Sequence, residues 1–223
     1  MVSVLRQVLD PATRDSIIND MARAPMLDGR QSAGSLGQDL KSTQQVDSKS
    51  EIYRGMLKRV MTAFQSHGEF SKHAIPRRIL PPLFARYGQG AFYKRHVDNA
   101  LMGPFPSMRT DLSITIFLND PDAYDGGTLS LETPFGVQEY RLEAGDAILY
   151  PTHYPHWVTE VTRGERLAVV TWIESLVKDP LQRDVAADLA DLMEWAIEEN
   201  ADQDVLLKIE KTRLNLMKMW ANT

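Results

Sequence analysis

The chain has 223 residues, 43% of them hydrophobic, enough for one large domain, with appendages, around its own core. Its formal charge of −5 excludes a global attraction to nucleic acid or acidic membrane surfaces and leaves only local basic runs such as "YKRH" and "IPRR". Cysteine is absent, which excludes disulfides and thiolate metal sites. No apolar run is long enough to cross a bilayer and the start lacks a signal-peptide core, so a soluble, cytoplasmic protein is expected.

A first helix is expected in "LDPATRDSIINDMA", with Asp10 as N-cap and Pro11 in the first turn. The next stretch, "LDGRQSAGSLGQDLKSTQQ", is rich in Gly, Ser and Gln and reads as loop or short irregular edge. A second helix is predicted over "SKSEIYRGMLKRVMTAFQSH", where Ile52, Met56, Val60 and Phe64 recur every four residues. From about residue 79 to 176 the texture changes to short β-type runs: "PPLFARY", "AFYKRHVD", "TDLSITIFLN", "GTLSLET", "QEYRL", "DAILYP", "HWVTEV" and "RLAVVTWIES". Turn signals such as "GQG", "NDPDAYDGG", "TPFG", "EAGD" and "TRGE" separate them. Strands at this spacing suggest a sandwich, barrel or jelly roll. Beyond Pro180, two amphipathic helices are expected. The fold class is therefore α+β: an N-terminal helical and edge-strand region over 1–78, a jelly roll over 79–178 and a C-terminal helical pair over 179–223.

Within "AFYKRHVDNA", strand alternation puts His96 and Asp98 on one face and Val97 on the other. A buried imidazole beside a carboxylate is costly unless a hydrogen bond, water or a metal ion joins them. A third ligand would come from "YPTHYPHWVTEV", where His153 and His156 lie three apart and so face opposite ways on a regular strand. Only one of them is expected to join the pair. Two histidines and one carboxylate on one face of an octahedron leave the other face open, the pattern of non-haem Fe(II) oxygenases. His-x-Asp alone is more often a surface or hydrogen-bonded pair. Arg166 opens an apolar run and needs an anionic partner, either a carboxylate ligand held bidentately or a core acid in a structural ion pair.

The order of "DGRQSAG", "KSTQQ", "RYGQGAFYKRHVDNA", "RTDLSITIFLNDPDAYDGGTLSLE", "EAGDAILYP" and "HWVTEVTRGERLAVVTWIES" resembles the Fe(II)/2-oxoglutarate-dependent dioxygenases, specifically the PKHD-type hydroxylases related to prolyl and lysyl hydroxylases. The resemblance covers nearly the whole chain. It implies a double-stranded β-helix with His96, Asp98 and His156 as iron ligands, and Arg166 pairing with the distal carboxylate of 2-oxoglutarate. Tyr87 would hydrogen-bond the same co-substrate, and Tyr93 and Trp172 would line the pocket. The implied cofactors are Fe(II), 2-oxoglutarate and O2, with ascorbate as an optional reductant. The implied reaction hydroxylates an unactivated C–H bond while 2-oxoglutarate becomes succinate and CO2. A peptidyl residue such as proline is the first substrate class, and a free amino acid or siderophore-related compound the second. A non-catalytic, cupin-like metal-binding module is the competing class, against which Arg166 counts; nucleic acid and membrane are not expected partners.

Other positions carry architectural expectations. Gly126 and Gly127 permit a tight turn at the mouth of the roll, Asp146 is a turn acid, His67 and His73 are solvated, and His153 is a bystander. In the tail, Leu206, Ile209, Leu214, Met217 and Trp220 read as intramolecular core, whereas an exposed apolar face there would favour a homodimer. Iron affinity is expected to fall at acidic pH as His96 and His156 protonate.

Overall fold

The computed structural model describes residues 2–32 and 41–222. The glycine-rich part of the expected loop, 33–40, lies outside them. Helix α1 (Pro11–Arg23) begins where Asp10 accepts from the Thr13 N–H, with Pro11 as its first residue. Helix α2 (Glu51–Ser66) is capped by Ser50; it buries Met56, Val60 and Phe64 and leaves Ile52 half-buried at its first turn.

A short helix, α3 (Gly68–Ala74), was not foreseen. Its N-cap is His67, whose Nδ1 accepts from the Phe70 N–H while Nε2 lies 3.0 Å from the Arg6 carbonyl oxygen. Because Nδ1 accepts, Nε2 carries the proton and donates. His73 is also half-buried, with Nε2 3.4 Å from Glu69. Both histidines thus depart from the solvated state expected of them.

Four strands precede the expected β region: β1 (Ser3–Leu5), β2 (Met26–Asp28), β3 (Lys41–Ser42) and β4 (Gln44–Val46). The roll then follows as β5 (Pro76–Ile79), β6 (Leu83–Tyr87), β7 (Phe92–His96), β8 (Leu101–Met102), β9 (Met108–Arg109) and β10 (Leu112–Phe117). It continues through β11 (Asp125–Gly126), β12 (Leu129–Thr133), β13 (Gly136–Tyr140), β14 (Ala147–Pro151), β15 (His156–Val158), β16 (Val161–Arg163) and β17 (Arg166–Ser175). Helices α4 (Pro180–Glu198) and α5 (Gln203–Trp220) close the chain.

The larger sheet runs β1-β14-β10-β17-β6-β4-β2, with β5 also on β17, and the smaller runs β13-β12-β15-β7-β3. Alternation decides what each face sees. In β10, Leu112, Ile114 and Ile116 join the core shared with α1 and α2, alongside Ile17, Met21, Met56 and Phe64. Ser113, Thr115 and Phe117 turn the other way, into the space between the sheets, where Phe117 packs with Tyr87, Leu131, Tyr150 and Val158. β14 divides likewise, with Ala147 and Leu149 toward the helices and Ile148 and Tyr150 inward. The helices thus seal one face of the larger sheet and leave its inner face, polar at Ser113 and Thr115, to the site.

Asp146 does more than close a turn. It is buried, its Oδ1 accepts from the Gln7 N–H at 2.8 Å, and its Oδ2 pairs with Arg6, tying the segment after β1 to the roll. Gly126 and Gly127 are architectural as expected, but not at the mouth. β15 runs from His156, opposite His96, to Val158, opposite Tyr93, and the Gly127 N–H bonds to Glu160 beyond it. They therefore sit at the end of the roll away from His96.

Candidate active site

His96 ends β7 and stands directly opposite His156 at the start of β15. The ladder itself sets the two rings side by side, with centroids 4.2 Å apart. Each Nδ1 faces a carbonyl two residues upstream: His96 to Lys94 at 2.8 Å and His156 to Tyr154 at 3.0 Å. A carbonyl only accepts, so each Nδ1 bears the proton and each Nε2 presents its lone pair inward. Asp98 Oδ1 lies 3.9 Å from His96 Nε2 and 3.8 Å from His156 Nε2. The three donor atoms fall within 4.8 Å of one another, and among the described residues no other such cluster occurs. Donors this close can share one ion held at about 2.0–2.2 Å after small side-chain adjustments.

The electrostatics agree with that use. Burial lowers the His96 pKa to about 4, helped by the neighbouring His156 and Lys41. The ring therefore stays neutral, as a ligand must, and proton competition at His96 is displaced well below the ordinary histidine range. Burial raises Asp98, opposed by His156 and by the polar groups of Trp172 and Ser113. Asp98 Oδ2 and Trp172 Nε1 are both buried, and the indole N–H lies near the carboxylate without closing a well-formed hydrogen bond. Under-satisfied polar atoms beside a ligand cluster are what a site built for an ion and its other ligands leaves behind. His153 takes no part: it is exposed on the preceding turn, its ring against Tyr154.

Arg166 opens β17 on the same inner face as Trp172 and pairs in register with Tyr87 on β6. Only 1% of Arg166 is exposed. Its guanidinium lies 4.9 Å from the Tyr87 ring centroid and 5.2 Å from that of Phe117, while Nε and Nη1 have no hydrogen-bond partner. Among the described residues it forms no ion pair, so the core-acid alternative does not hold. Gly127, at φ +59°, makes room for it: a β-carbon there would stand 3.2 Å from Arg166 Cδ and 3.1 Å from Tyr124.

Two features escaped the sequence reading, the polar row at Ser113 and the buried Lys41. Ser113 pairs with both Tyr150 and Trp172, setting a row of polar-tipped side chains across the inner face. The alternation in "LSITIF" carried that signal. Tyr93 stacks on His96 with ring centroids 3.7 Å apart, and Lys41, buried on the adjoining β3, holds its ammonium 5.1 Å from the Tyr93 centroid. Burial lowers Lys41 to about 8, against the opposing charges of Asp98 and Asp28. No periodicity marks a two-residue strand, so Lys41 was unreadable as part of the site.

The 2OG-Fe(II) oxygenase superfamily matches residues 82–174, the segment holding all of these residues except Lys41. A PKHD-type hydroxylase of Acidovorax ebreus (strain TPSY) is 40% identical over 225 residues, covering 99% of both chains. The chain belongs to the PKHD-type hydroxylases. YbiX, a PKHD-type hydroxylase of Escherichia coli (strain SMS-3-5 / SECEC), is 36% identical over 216 residues and 96% of each chain. Among solved structures, a Pseudomonas putida prolyl-4-hydroxylase superposes with TM-score 0.54 at 21% identity, over 78% of this hydroxylase and 92% of that chain. HygX from Streptomyces hygroscopicus, with nickel and 2-oxoglutarate bound, superposes with TM-score 0.53 at 13% identity, over 78% and 82%. Both share the double-stranded β-helix. Family membership makes the protein an oxidoreductase rather than a non-catalytic cupin-like module. No helix among the described residues is long and apolar enough to cross a membrane.

Proposed function

We propose that this PKHD-type hydroxylase binds Fe(II) through His96, Asp98 and His156, and 2-oxoglutarate through Arg166 and Tyr87. It would then hydroxylate an unactivated C–H bond of a peptidyl residue, such as proline. The balance is R–H, O2 and 2-oxoglutarate giving R–OH, succinate and CO2. The observation that carries the reading is Arg166: a buried guanidinium with two unpartnered nitrogens, on the inner face that the ligand cluster shares. A planar carboxylate is the partner whose geometry and charge such a fork fits.

Bound iron would supply the one-electron and dioxygen chemistry; the chain's own part is positioning. The Lys94 and Tyr154 carbonyls aim the two imidazoles. Arg166 would fix the far end of the co-substrate, and Tyr87, Phe117 and Tyr150 keep its surroundings apolar. Misplacement by about 1 Å in such an arrangement can cost roughly a hundredfold in rate. Residues 79–178 would thus carry the chemistry, with ascorbate serving to return iron oxidised in unproductive turnover to Fe(II).

The rim supports a peptidyl substrate. Leu131 pairs with His156, so the β12–β13 turn two residues further on projects from the ligand end of the sheet. Phe135 on that turn is 92% exposed, and Phe105, on the excursion after Asp98, is 98% exposed. Val97 and Leu101, on either side of Asp98 in the chain, are also exposed, and exposed apolar side chains of this kind suit a chain longer than one amino acid. A fold neighbour from Trichoplax adhaerens is a prolyl hydroxylase in complex with a peptide fragment of hypoxia inducible factor. HygX has been captured with hygromycin B, which keeps a free small molecule as the second reading.

The deciding experiment is anaerobic addition of Fe(II) and then 2-oxoglutarate, followed by visible absorption. A saturable charge-transfer band is expected in the wild type, absent in His156→Ala and weakened in Arg166→Ala. Iron-loaded protein without that band would overturn the reading. Succinate release stimulated by proline-containing peptides but not by free amino acids would establish the peptidyl class, and the reverse pattern would replace it with the small-molecule one.

A further inference from the structure

Two stretches of the chain are left over once the site is described. The C-terminal helices pack against each other, and Leu206, Ile209, Met217 and Trp220 are half-buried as expected of a core, whereas Leu214 is exposed. The other stretch is the basic run in "IPRR". Arg77 and Arg78 are both exposed on β5, the short strand laid on the end of β17.

Their position follows from the pleat of β17. Arg166, Ala168, Val170, Trp172 and Glu174 share its inner face. Arg166 stands at one end, and Trp172, with its partner Ser113, stands beside Asp98. Glu174 follows about 7 Å further on, at roughly 3.3–3.4 Å per residue. It lies directly opposite Arg78. Along the strand, the ligand cluster is therefore flanked by Arg166 on one side and by this basic group on the other. A co-substrate held by Arg166 fills the first side, which leaves the second to the substrate. Arg78 Nη2 also reaches the Ser107 carbonyl at 3.3 Å, on the excursion after Asp98 that carries the exposed Phe105.

Glu174 gathers the cations. It is only 3% exposed, and its Oε2 accepts from Arg78 Nε at 2.5 Å. Its Oε1 lies 3.5 Å from Arg77 Nη1 and 3.6 Å from Arg109 Nη1. Arg109 is otherwise occupied, because Asp111 accepts from its Nε and Nη2, and the Ser175 carbonyl accepts from Nη2 as well. Arg77 and Arg78 keep donors to spare. Among the described residues the long contact to Glu174 is the only ion pair of Arg77, and nothing accepts from Arg78 Nη1. Their side chains are 37% and 42% exposed, so those donors stay within reach of a ligand. Three guanidiniums over two carboxylates leave one net positive charge, and residues 99–108 of the excursion contain no acid to balance it.

We propose that Arg77 and Arg78 form a carboxylate subsite on the substrate side of the metal, with Glu174 as the positioning residue beneath them. The subsite rests on the peptidyl reading above and narrows it: the substrate carries an aspartate or glutamate near the residue that is hydroxylated. A separation of about 7 Å corresponds to about two residues of extended chain. Neighbouring guanidinium forks suit a planar carboxylate, which each can hold through paired N–H donors. The whole chain carries −5, so its overall charge repels an acidic peptide and any preference for one has to be local.

Peptide binding tests this without turnover. The full chain, loaded with Mn(II) and 2-oxoglutarate and immobilised, would be offered proline-centred peptides with blocked ends and randomised flanks, and the retained fraction sequenced. Asp and Glu should be enriched about threefold or more on one side of the proline, and the enrichment should fade at high salt. Arg77→Glu leaves the Arg78–Glu174 pair in place; it should abolish the enrichment and favour Lys or Arg at the same position. Arg77→Lys should retain part of it. An empty retained fraction, a pool without acidic enrichment, or an enrichment that survives Arg77→Glu would overturn the subsite. The charge-transfer band of the iron-loaded protein is read separately, so any of these failures would leave the co-substrate reading standing.

Discussion

Replacing Arg166 by methionine separates the two roles a buried arginine can have. Had Arg166 been half of a buried ion pair, its removal would strand a charge and cost about 3–5 kcal/mol. The structure supplies no such acid, and instead leaves Nε and Nη1 unpartnered with two aromatic faces nearby. Each unmade buried hydrogen bond costs about 1–3 kcal/mol, and each cation–π contact returns about 0.5–2 kcal/mol. Methionine keeps the apolar stem and loses both kinds of term. On those ranges, for two nitrogens and two rings, the metal-free Arg166→Met protein should lie between about 2 kcal/mol less and about 5 kcal/mol more stable than the wild type, centred near 1.5 kcal/mol more stable. Thermal melting reads this directly, because about 1 kcal/mol moves the midpoint of a chain this size by roughly 2–4 °C. The co-substrate should act oppositely: saturating 2-oxoglutarate with Mn(II) in place of iron should stabilise the wild type by about 2.7 kcal/mol at a hundred times its Kd, and the variant hardly at all. A variant several kcal/mol less stable than wild type, and still stabilised by 2-oxoglutarate, would refute the reasoning.

Other consequences are equally open to measurement. His96 has a folded pKa of about 4, below the ordinary 6.5, so the unfolded chain takes up a proton first as pH falls. Metal-free stability should be full above about pH 6.5 and decline by on the order of 3 kcal/mol toward pH 4, and urea titrations of His96→Gln should lack this component. Gly126→Ala would put a β-carbon 1.9 Å from the Glu160 carbonyl oxygen at φ +71°, and a loss of roughly 2–4 kcal/mol is expected on chemical denaturation. Asp146→Ala leaves the Gln7 N–H without its acceptor and should cost about 1–3 kcal/mol, with faster proteolysis ahead of α1 as a local readout. Phe105→Ala and Phe135→Ala should raise KM for a peptide substrate while leaving 2-oxoglutarate binding unchanged.

Residue patterns exposed what depends on local chemistry and hid what depends on distant partners. Asp10 and Pro11 announce α1, and the four-residue spacing of Met56, Val60 and Phe64 announces α2, because caps and periodicity are properties of neighbouring residues. Strand alternation placed His96 with Asp98, but choosing His156 over His153 rested on the family resemblance, and the structure supplies the reason in the β7–β15 register. His67 shows the limit: it caps α3 although histidine is not among the usual N-cap residues. Asp146 reads as a turn acid until Arg6 and Gln7, far away in the chain, come to rest on it. The strands β1 to β4 are two or three residues long and exist only through their pairing with segments elsewhere in the chain, so no window of sequence reveals them. The same holds for Lys41, which reaches the site through β3.

The direct opposition of His96 and His156 bears on how this chain can change length. Between the His96–His156 and Tyr93–Val158 pairs β7 already carries one residue more than β15, so a further insertion or deletion there would have to be absorbed at this bulge for both histidines to keep facing inward. The excursion between Asp98 and β10, and the turn joining β12 to β13, carry no such constraint. Indels compatible with a working enzyme should collect there, where they leave the spacing of His96, Asp98 and His156 untouched.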